Sequence, residues 1–369
     1  MNVVIAGGGT AGHVFPAIAL ADRLAADGDS VSFVGSSDGQ EAIRVPAAGY
    51  PFHPVDAMPL KREVSLATAK APVVALRSVG VAGPLVERAD VVVGVGGYVS
   101  VPAVLAARRA HLPIVLHEQN AIPSLSNRFL ARFARVVAVS FERSVGSFGR
   151  RVRVEVTGNP VREQVTRVPG RREELAGEAW AALDLAPDRT TVVVFGGSLG
   201  ALHVDQAVAQ MLQRSAIRER DDLQLLVLTG PDHLGVVAGH ASDPMPLRVR
   251  VLPFLDRMDH ALAITDLAVA RAGAGHIAEL TVCGLPSILI PYPHATEHHQ
   301  EANARALVDA GAAEIFLDAD LTGDRLSARI LGLADDADRR SRMADAARAW
   351  GRPEAADRLA RSVHEAGAA

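Results

Sequence analysis

The sequence predicts an α/β protein made of two doubly wound, Rossmann-like parallel-sheet domains facing across a cleft. Three observations lead there. Short β-branched runs alternate with helix-length segments along nearly the whole chain, and such alternation implies right-handed crossovers and open parallel sheets. Runs such as VVVGV (91–95) and TVVVF (191–195) are apolar on both faces, as parallel strands covered on each side require. The layout also repeats, because each half opens with strand, glycine-rich loop and helix.

In the first half, strands are expected at 2–6, 30–34, 51–55, 90–94, 113–116, 135–139 and 152–156. The pattern then breaks. Residues 157–189, TGNPVREQVTRVPGRREELAGEAWAALDLAPDR, carry three prolines and many charges before the next strand opens at Thr191, and they mark the linker and the start of the second domain. The second half continues with strands at 191–195, 223–228, 247–251, 266–270, 286–290 and 312–316. The expected domains are residues 1–160 and 161–340. The alanine- and arginine-rich tail, 338–366, reads as helical, with the stretch from about 345 to 369 a candidate to pack back on the first domain.

Length and composition narrow the function classes. At 369 residues the chain can build two ordinary cores, and 49% hydrophobic with 22% charged residues is the mixture of a globular protein. A formal charge of -4 gives no global attraction for nucleic acid, so no nucleic-acid partner is expected. The single cysteine, Cys283, excludes an intrachain disulfide, fits a reducing cytosol and lies in an apolar stretch that reads as core. The amino terminus enters a strand at once, without the basic region of a signal peptide, and no apolar run reaches the ~18 residues that span a bilayer.

In doubly wound sheets, ligands bind beyond the carboxyl ends of the strands. Three glycine-rich loops fall there: GGGTAGH (7–13), GGSLGA (196–201) and RAGAGHIAE (271–279). Glycine lets a ligand approach the backbone, and the free N–H groups of a first helical turn attract an anion, so the set points to a phosphorylated ligand. Ser198 offers a hydroxyl beside one helix start, and Arg271 a cation beside another. Glu279, one turn into its helix, either accepts from a ribose diol or complements the helix dipole. LHEQN (116–120) places polar residues directly after a buried strand, pointing either into the cleft or into a capping loop. His294 and His298 lack a third ligand and the glutamate of H-E-x-x-H, so no metal and no cofactor are expected. Asp318-Ala319-Asp320 imitates a metal-binding D-x-D, but its place between strand and helix favours turn and cap chemistry.

At GGGTAGHVFPA (7–17), GVGGYVSVPA (94–103), LHEQN (116–120) and TGNPVR (157–162), the chain closely resembles the bacterial MurG family. These are N-acetylglucosaminyltransferases that convert lipid I to lipid II, and the similarity runs from about residue 2 past residue 310. The resemblance implies the two-domain GT-B fold, with the first domain taking the membrane-borne acceptor and the second the UDP-sugar. It implies inverting transfer of GlcNAc from UDP-GlcNAc to the 4-hydroxyl of MurNAc in undecaprenyl-linked lipid I, without an essential metal. The work would be done at the anionic inner face of the cytoplasmic membrane, in peptidoglycan synthesis. Carried over, Thr10, Ala11, Gly12, Asn120, Arg162, Ser198, Leu255 and Gln300 fall on donor positions, as does the run Ala274, Gly275, His276, Ile277, Ala278 and Glu279. Arg271 joins them as the neighbouring cation, and His13, Tyr98, Glu118 and Asn127 lie on the acceptor side. Three departures cluster on the nucleotide-binding positions: Ala11 for a usual glycine, Leu199 for a glutamine, and Gly275-His276 for an apolar–threonine pair.

The chemistry needs donors for the leaving diphosphate and an acceptor for the hydroxyl proton. His13 is the first candidate base, since an imidazole of ordinary pKa, ~6.5, is largely neutral in the cytosol, with Glu118 second. An alternative role for His13 is to orient its loop or touch an acceptor phosphate. The apolar stretch 65–89, with Lys70 and Arg77 and flanked by Lys61-Arg62, either lies in lipid headgroups or forms a core helix. Two rival functions follow from the same loops. One is a related transferase using another nucleotide sugar or a natural-product acceptor. The other is an NAD-dependent oxidoreductase, suggested by G-x-G-x-x-G at 7–12 but lacking the acidic residue at the end of the second strand.

Overall fold

The structure is a computed structural model that describes residues 1–368 apart from Thr10, 56–77 and Asp243. The chain forms two compact units, Met1–Arg162 with Arg352–Ala369, and Glu163–Gly351.

The first unit holds seven described strands: β1 (Asn2–Ala6), β2 (Ser30–Gly35), β3 (Phe52–Pro54), β4 (Val91–Gly94), β5 (Ile114–Glu118), β6 (Val136–Val139) and β7 (Val154–Val156). All pair in parallel in the order β3-β2-β1-β4-β5-β6-β7. The period-2 geometry of a strand sends alternate side chains to opposite faces. On β1, Val3 and Ile5 accordingly enter one core and Val4 and Ala6 the other. The first core is closed by helix Ala11–Ala26 through Val14, Leu20 and Leu24, and by helix Ala355–Ala368 through Leu359, Ala360 and Val363. The second is closed by Ala103, Val104 and Ala107 of helix Ser100–Arg109 and by Ala82 and Val86 of helical residues 78–86.

The second unit repeats the plan with β8 (Thr190–Phe195), β9 (Leu223–Leu228), β10 (Arg248–Leu252), β11 (Leu267–Arg271), β12 (Ser287–Ile290) and β13 (Ala313–Ile315). Its parallel order is β10-β9-β8-β11-β12-β13. In each sheet the connections diverge between the first strand and the one that follows the outward run, at β1/β4 and at β8/β11. Those are the topological switch points, where doubly wound sheets bind ligands.

All thirteen expected strands form, with ends displaced by at most a few residues. Within the charged stretch 157–189, Arg172–Leu183 is a helix whose Leu175, Ala179 and Leu183 are buried. The tail is two helices, Ala337–Trp350 and Ala355–Ala368, broken where Pro353, lacking an N–H, follows Gly351-Arg352. Residues 56–77, which include Lys61-Arg62, Lys70 and Arg77, lie outside the described residues, while 78–86 is a core helix with only Val81 among its large apolar residues exposed.

Leu359 is fully buried in the first core. Leu359→Ala is expected to cost about 2–5 kcal/mol in urea unfolding, whereas Ala at exposed Arg361 stays within about 0.5 kcal/mol.

Candidate functional site

At the β1/β4 switch point, two glycine turns meet. A Cβ on Gly7 would lie 2.6 Å from Val95 Cγ2 and 2.8 Å from the Gly96 carbonyl, so the turns pack more closely than side chains allow. Below them sits Glu41, a buried carboxylate that no motif marked. Its Oε2 accepts from the Gly9 amide at 2.7 Å and its Oε1 from Ser36 at 2.9 Å, and a Cβ on Gly8 would strike it at 2.1 Å. Glu41 thus takes up the Gly9 amide, one of the loop donors that a dinucleotide pyrophosphate would need.

His13 stands in the first turn of helix Ala11–Ala26, half-buried, with its Cδ2 and Nε2 3.2 Å from where a Gly96 Cβ would be. Only a glycine at φ +95° leaves that room. Gly12 is exposed beside it; Thr10 lies outside the described residues. Phe15, on the same helix, carries the Arg162 guanidinium 4.7 Å above its ring. Tyr98 is half-buried against the core behind β4.

LHEQN forms the end of β5 and the turn after it. Glu118 is buried, and four donors engage it. Oε1 takes the Asn120 amide at 2.9 Å and its side chain at 3.4 Å, while Oε2 takes the Ser124 amide at 3.0 Å and Asn127 Nδ2 at 2.9 Å. A carboxylate so engaged organises the 119–124 turn. Asn127 spends its Nδ2 inward, on Glu118 and on the His117 carbonyl at 3.2 Å, and its Oδ1 is buried with no hydrogen-bond partner among the described residues. His117, which sequence reasoning passed over, is fully buried. Its Nε2 reaches the Gly158 carbonyl at 3.2 Å, so Nε2 carries the proton there. Burial, only partly offset by that bond, pushes its pKa down to about 4.

The β8/β11 switch point has the opposite electrostatics. Gly196–Gly200 follows β8, and helix Ala274–Val282 opens after β11 with Gly273 at its N-cap and no side chain capping it. Its first-turn amides are therefore those an anion would meet. Ser198 is half-buried and Leu199 is 67% exposed beside it. Gly200 is the tightest position: a Cβ there would lie 1.7 Å from the Thr229 carbonyl. His276 stands at the helix start, and Glu279 one turn on, both half-buried. Leu255 is half-buried in the turn after β10, and Gln300 accepts the Tyr292 amide at 2.9 Å.

Three of the positions, Arg271, Ile277 and Ala278, are buried. Arg271 is buried and paired with Asp318, also donating to the Pro291 carbonyl at 3.1 Å, so it is an internal brace and not an open cation. Ile277 and the methyl of Ala278 point into the core, leaving only their backbone to a ligand. Asp318 works in turn chemistry as expected of the D-x-D imitation. Burial acts to raise its pKa, but hydrogen bonds from His203, at 2.6 Å, and Arg271 prevail and hold it below the usual aspartate value. Asp205, another carboxylate without a motif, lies beneath the Gly200 turn with His233 Nδ1 at 3.1 Å, and burial lifts its pKa to about 6.

Two glycine-loop units with an uncapped helix at a switch point suit a phosphorylated ligand, and comparison with known proteins makes the class that of a glycosyltransferase. Residues 3–139 match the glycosyltransferase family 28 N-terminal domain, and 191–359 the family 28 C-terminal domain. The chain is 38% identical to the UDP-N-acetylglucosamine--N-acetylmuramyl-(pentapeptide) pyrophosphoryl-undecaprenol N-acetylglucosamine transferase of Desulforamulus reducens, over 99% of this chain and 98% of that one. It is 41% identical to the same enzyme of Desulforudis audaxviator, over 97% and 96%. Among solved structures, Acinetobacter baumannii MurG is 28% identical with a TM-score of 0.78, covering 99% of both chains. The calicheamicin glycosyltransferase CalG4, at 18% identity and TM-score 0.66 over 99% and 98%, shares the fold alone. The chain belongs to the MurG family of N-acetylglucosaminyltransferases.

His117 yields a stability prediction. Its folded pKa of about 4 lies below the unfolded value of ~6.5, so the unfolded chain binds the extra proton between them. The His117 contribution is present above that window and lost as pH falls through it. Melting curves from pH 7 to 4 should show this loss, and His117→Gln should flatten it while lowering Tm at neutral pH.

Proposed function

We propose that this chain transfers GlcNAc from UDP-GlcNAc to the MurNAc 4-hydroxyl of undecaprenyl-pyrophosphoryl-MurNAc-pentapeptide, making lipid II for peptidoglycan synthesis. Its relatives carry that activity in their names at about 40% identity over their full length. The structural observation that carries the reading is the contrast between the two switch points. Glu41 fills the first with negative charge, whereas the second presents an uncapped helix beside Gly196–Gly200. The UDP diphosphate therefore belongs to the second unit.

The donor's uridine and diphosphate bind there, with Ser198 and the amides at Ala274–His276 meeting the phosphates and Glu279 accepting from the ribose diol. Gln300, with Leu255 nearby in sequence order to the nucleotide loops, completes the donor set. On the first unit, His13 is the proton acceptor for the attacking hydroxyl, Glu118 holds the turn that carries Asn120, and Tyr98 and Asn127 define the acceptor side. Bond formation between O4 and the anomeric carbon inverts that centre as the C1–O bond to the diphosphate breaks. Charge then builds on UDP, where oriented N–H and O–H donors stabilise it without reorganisation, each worth ~10²–10³ in rate.

The acceptor is lipid-linked, and among the described residues no helix is long and apolar enough to cross a membrane. We place the membrane contact on helix Leu125–Leu130, where Leu125 and Phe129 are 54% and 45% exposed. Arg132 lies 4.4 Å over the Phe129 ring, so cations flank the exposed apolar side chains, the composition that anchors a peripheral protein to an anionic inner leaflet.

Two measurements test these assignments. A panel of nucleotide sugars with a short-chain lipid I analogue should release UDP from UDP-GlcNAc alone. In the same assay, Ser198→Ala should lower kcat by ~10²–10³, and His13→Gln should remove most of kcat with donor binding unchanged; retention of kcat would exclude His13 as base. Phe129→Asp should weaken sedimentation with anionic vesicles at low salt and leave turnover of a soluble acceptor analogue unchanged.

A further inference from the structure

His276 stands in the first turn of helix Ala274–Val282, and its ring is held on three sides. Nδ1 lies 3.0 Å from the Arg271 carbonyl. A carbonyl can only accept, so Nδ1 carries a proton in every charge state of the ring. Phe195 meets the ring edge to face, with centroids 5.0 Å apart at 77°. The opposite edge looks at the other glycine loop: a Cβ on Gly197 would lie 3.4 Å from His276 Cε1 and 3.7 Å from Nε2. The ring thus bridges the two anion-binding turns with its orientation and tautomer both set.

That geometry has a chemical consequence. With Nδ1–H committed, a neutral ring offers only a lone pair at Nε2, which repels an oxygen anion. The imidazolium offers an N–H at the same point and adds a positive charge. Imidazole is the side chain that makes this exchange between pH 5 and 8. Charged or titratable groups on the helix and the elements packed around it include Glu279, Arg271 with its partner Asp318, Glu163, His299 and Arg348. Among the described residues, the ring's hydrogen bond is to the Arg271 carbonyl alone.

Resting on the donor assignment above, we propose that His276 makes donor binding proton-linked in this enzyme: the nucleotide-sugar diphosphate is held by the imidazolium form, and one proton enters from solvent as it binds. The proton goes to His276 Nε2 and is shared with a phosphate oxygen. It returns to solvent when UDP leaves, so the overall transfer remains balanced. His276 is in this view a specificity residue for the diphosphate, distinct from the base that serves the acceptor.

Calorimetric titration of the whole protein with UDP-GlcNAc, without acceptor, tests this. The probe has no phosphate that titrates near neutrality, so any proton taken up belongs to the protein. At pH 7.5, binding enthalpies in two buffers of different ionisation enthalpy should reveal uptake approaching one proton. Affinity should fall by up to tenfold per pH unit above neutrality. His276→Thr and His276→Gln, each checked for an unchanged melting curve, should bind with no proton uptake and a flat pH profile. Wild-type binding without uptake, or equal uptake in both variants, would overturn the proposal while leaving the donor site standing. Failure of the wild type to bind UDP-GlcNAc would instead overturn the donor assignment.

Discussion

Each unit depends on glycine turns packed together at the carboxyl ends of its strands. Parallel strands all deliver their carboxyl ends to one edge, and where neighbouring connections part, two turns must share the opening. At β1/β4 that brings Gly7 against Val95 and Gly96. Beside the β8/β11 opening, the turns after β8 and β9 set Gly200 under the Thr229 carbonyl at a spacing no Cβ survives. His13 has its place because Gly96 has no side chain, and the same holds for His276 over Gly197.

One scaffold therefore presents two openings, and buried charge tells them apart. In the first unit, carboxylates consume the amides: Glu41 takes Gly9 and Ser36, and Glu118 takes Asn120 and Ser124. Each bond adds order to a turn and subtracts from its attraction for an anion. In the second unit the carboxylates sit one layer back. Asp318 engages Arg271 and His203, and Asp205 engages His233, so they brace the site without standing at its mouth. The helix at Ala274 keeps its first amides uncapped by any side chain.

This division explains what the sequence makes visible. Glycine loops after apolar strands are visible in one dimension, because the strand, the turn and the helix start are contiguous. Ser198, His276 and Glu279 fall within such loops, so their places at strand ends are legible. Glu41 and His117 were not. Glu41 lies 32 residues from the amide it accepts, and His117 lies 41 from its carbonyl partner. Arg271 misled for a related reason: a cation beside a glycine loop looks open until its partner, 47 residues on, is seen.

The sequence by itself determined the alternation of strand and helix, the two halves with their repeated openings, the family, and the short motifs that carry the chemistry. All of these depend on neighbours along the chain, whose periodicity and turn chemistry are local. Only the tertiary structure decided which of those polar groups were already spoken for. Hydrogen-bond partners and burial are set by strand order, and strand order joins residues that no window of sequence holds together.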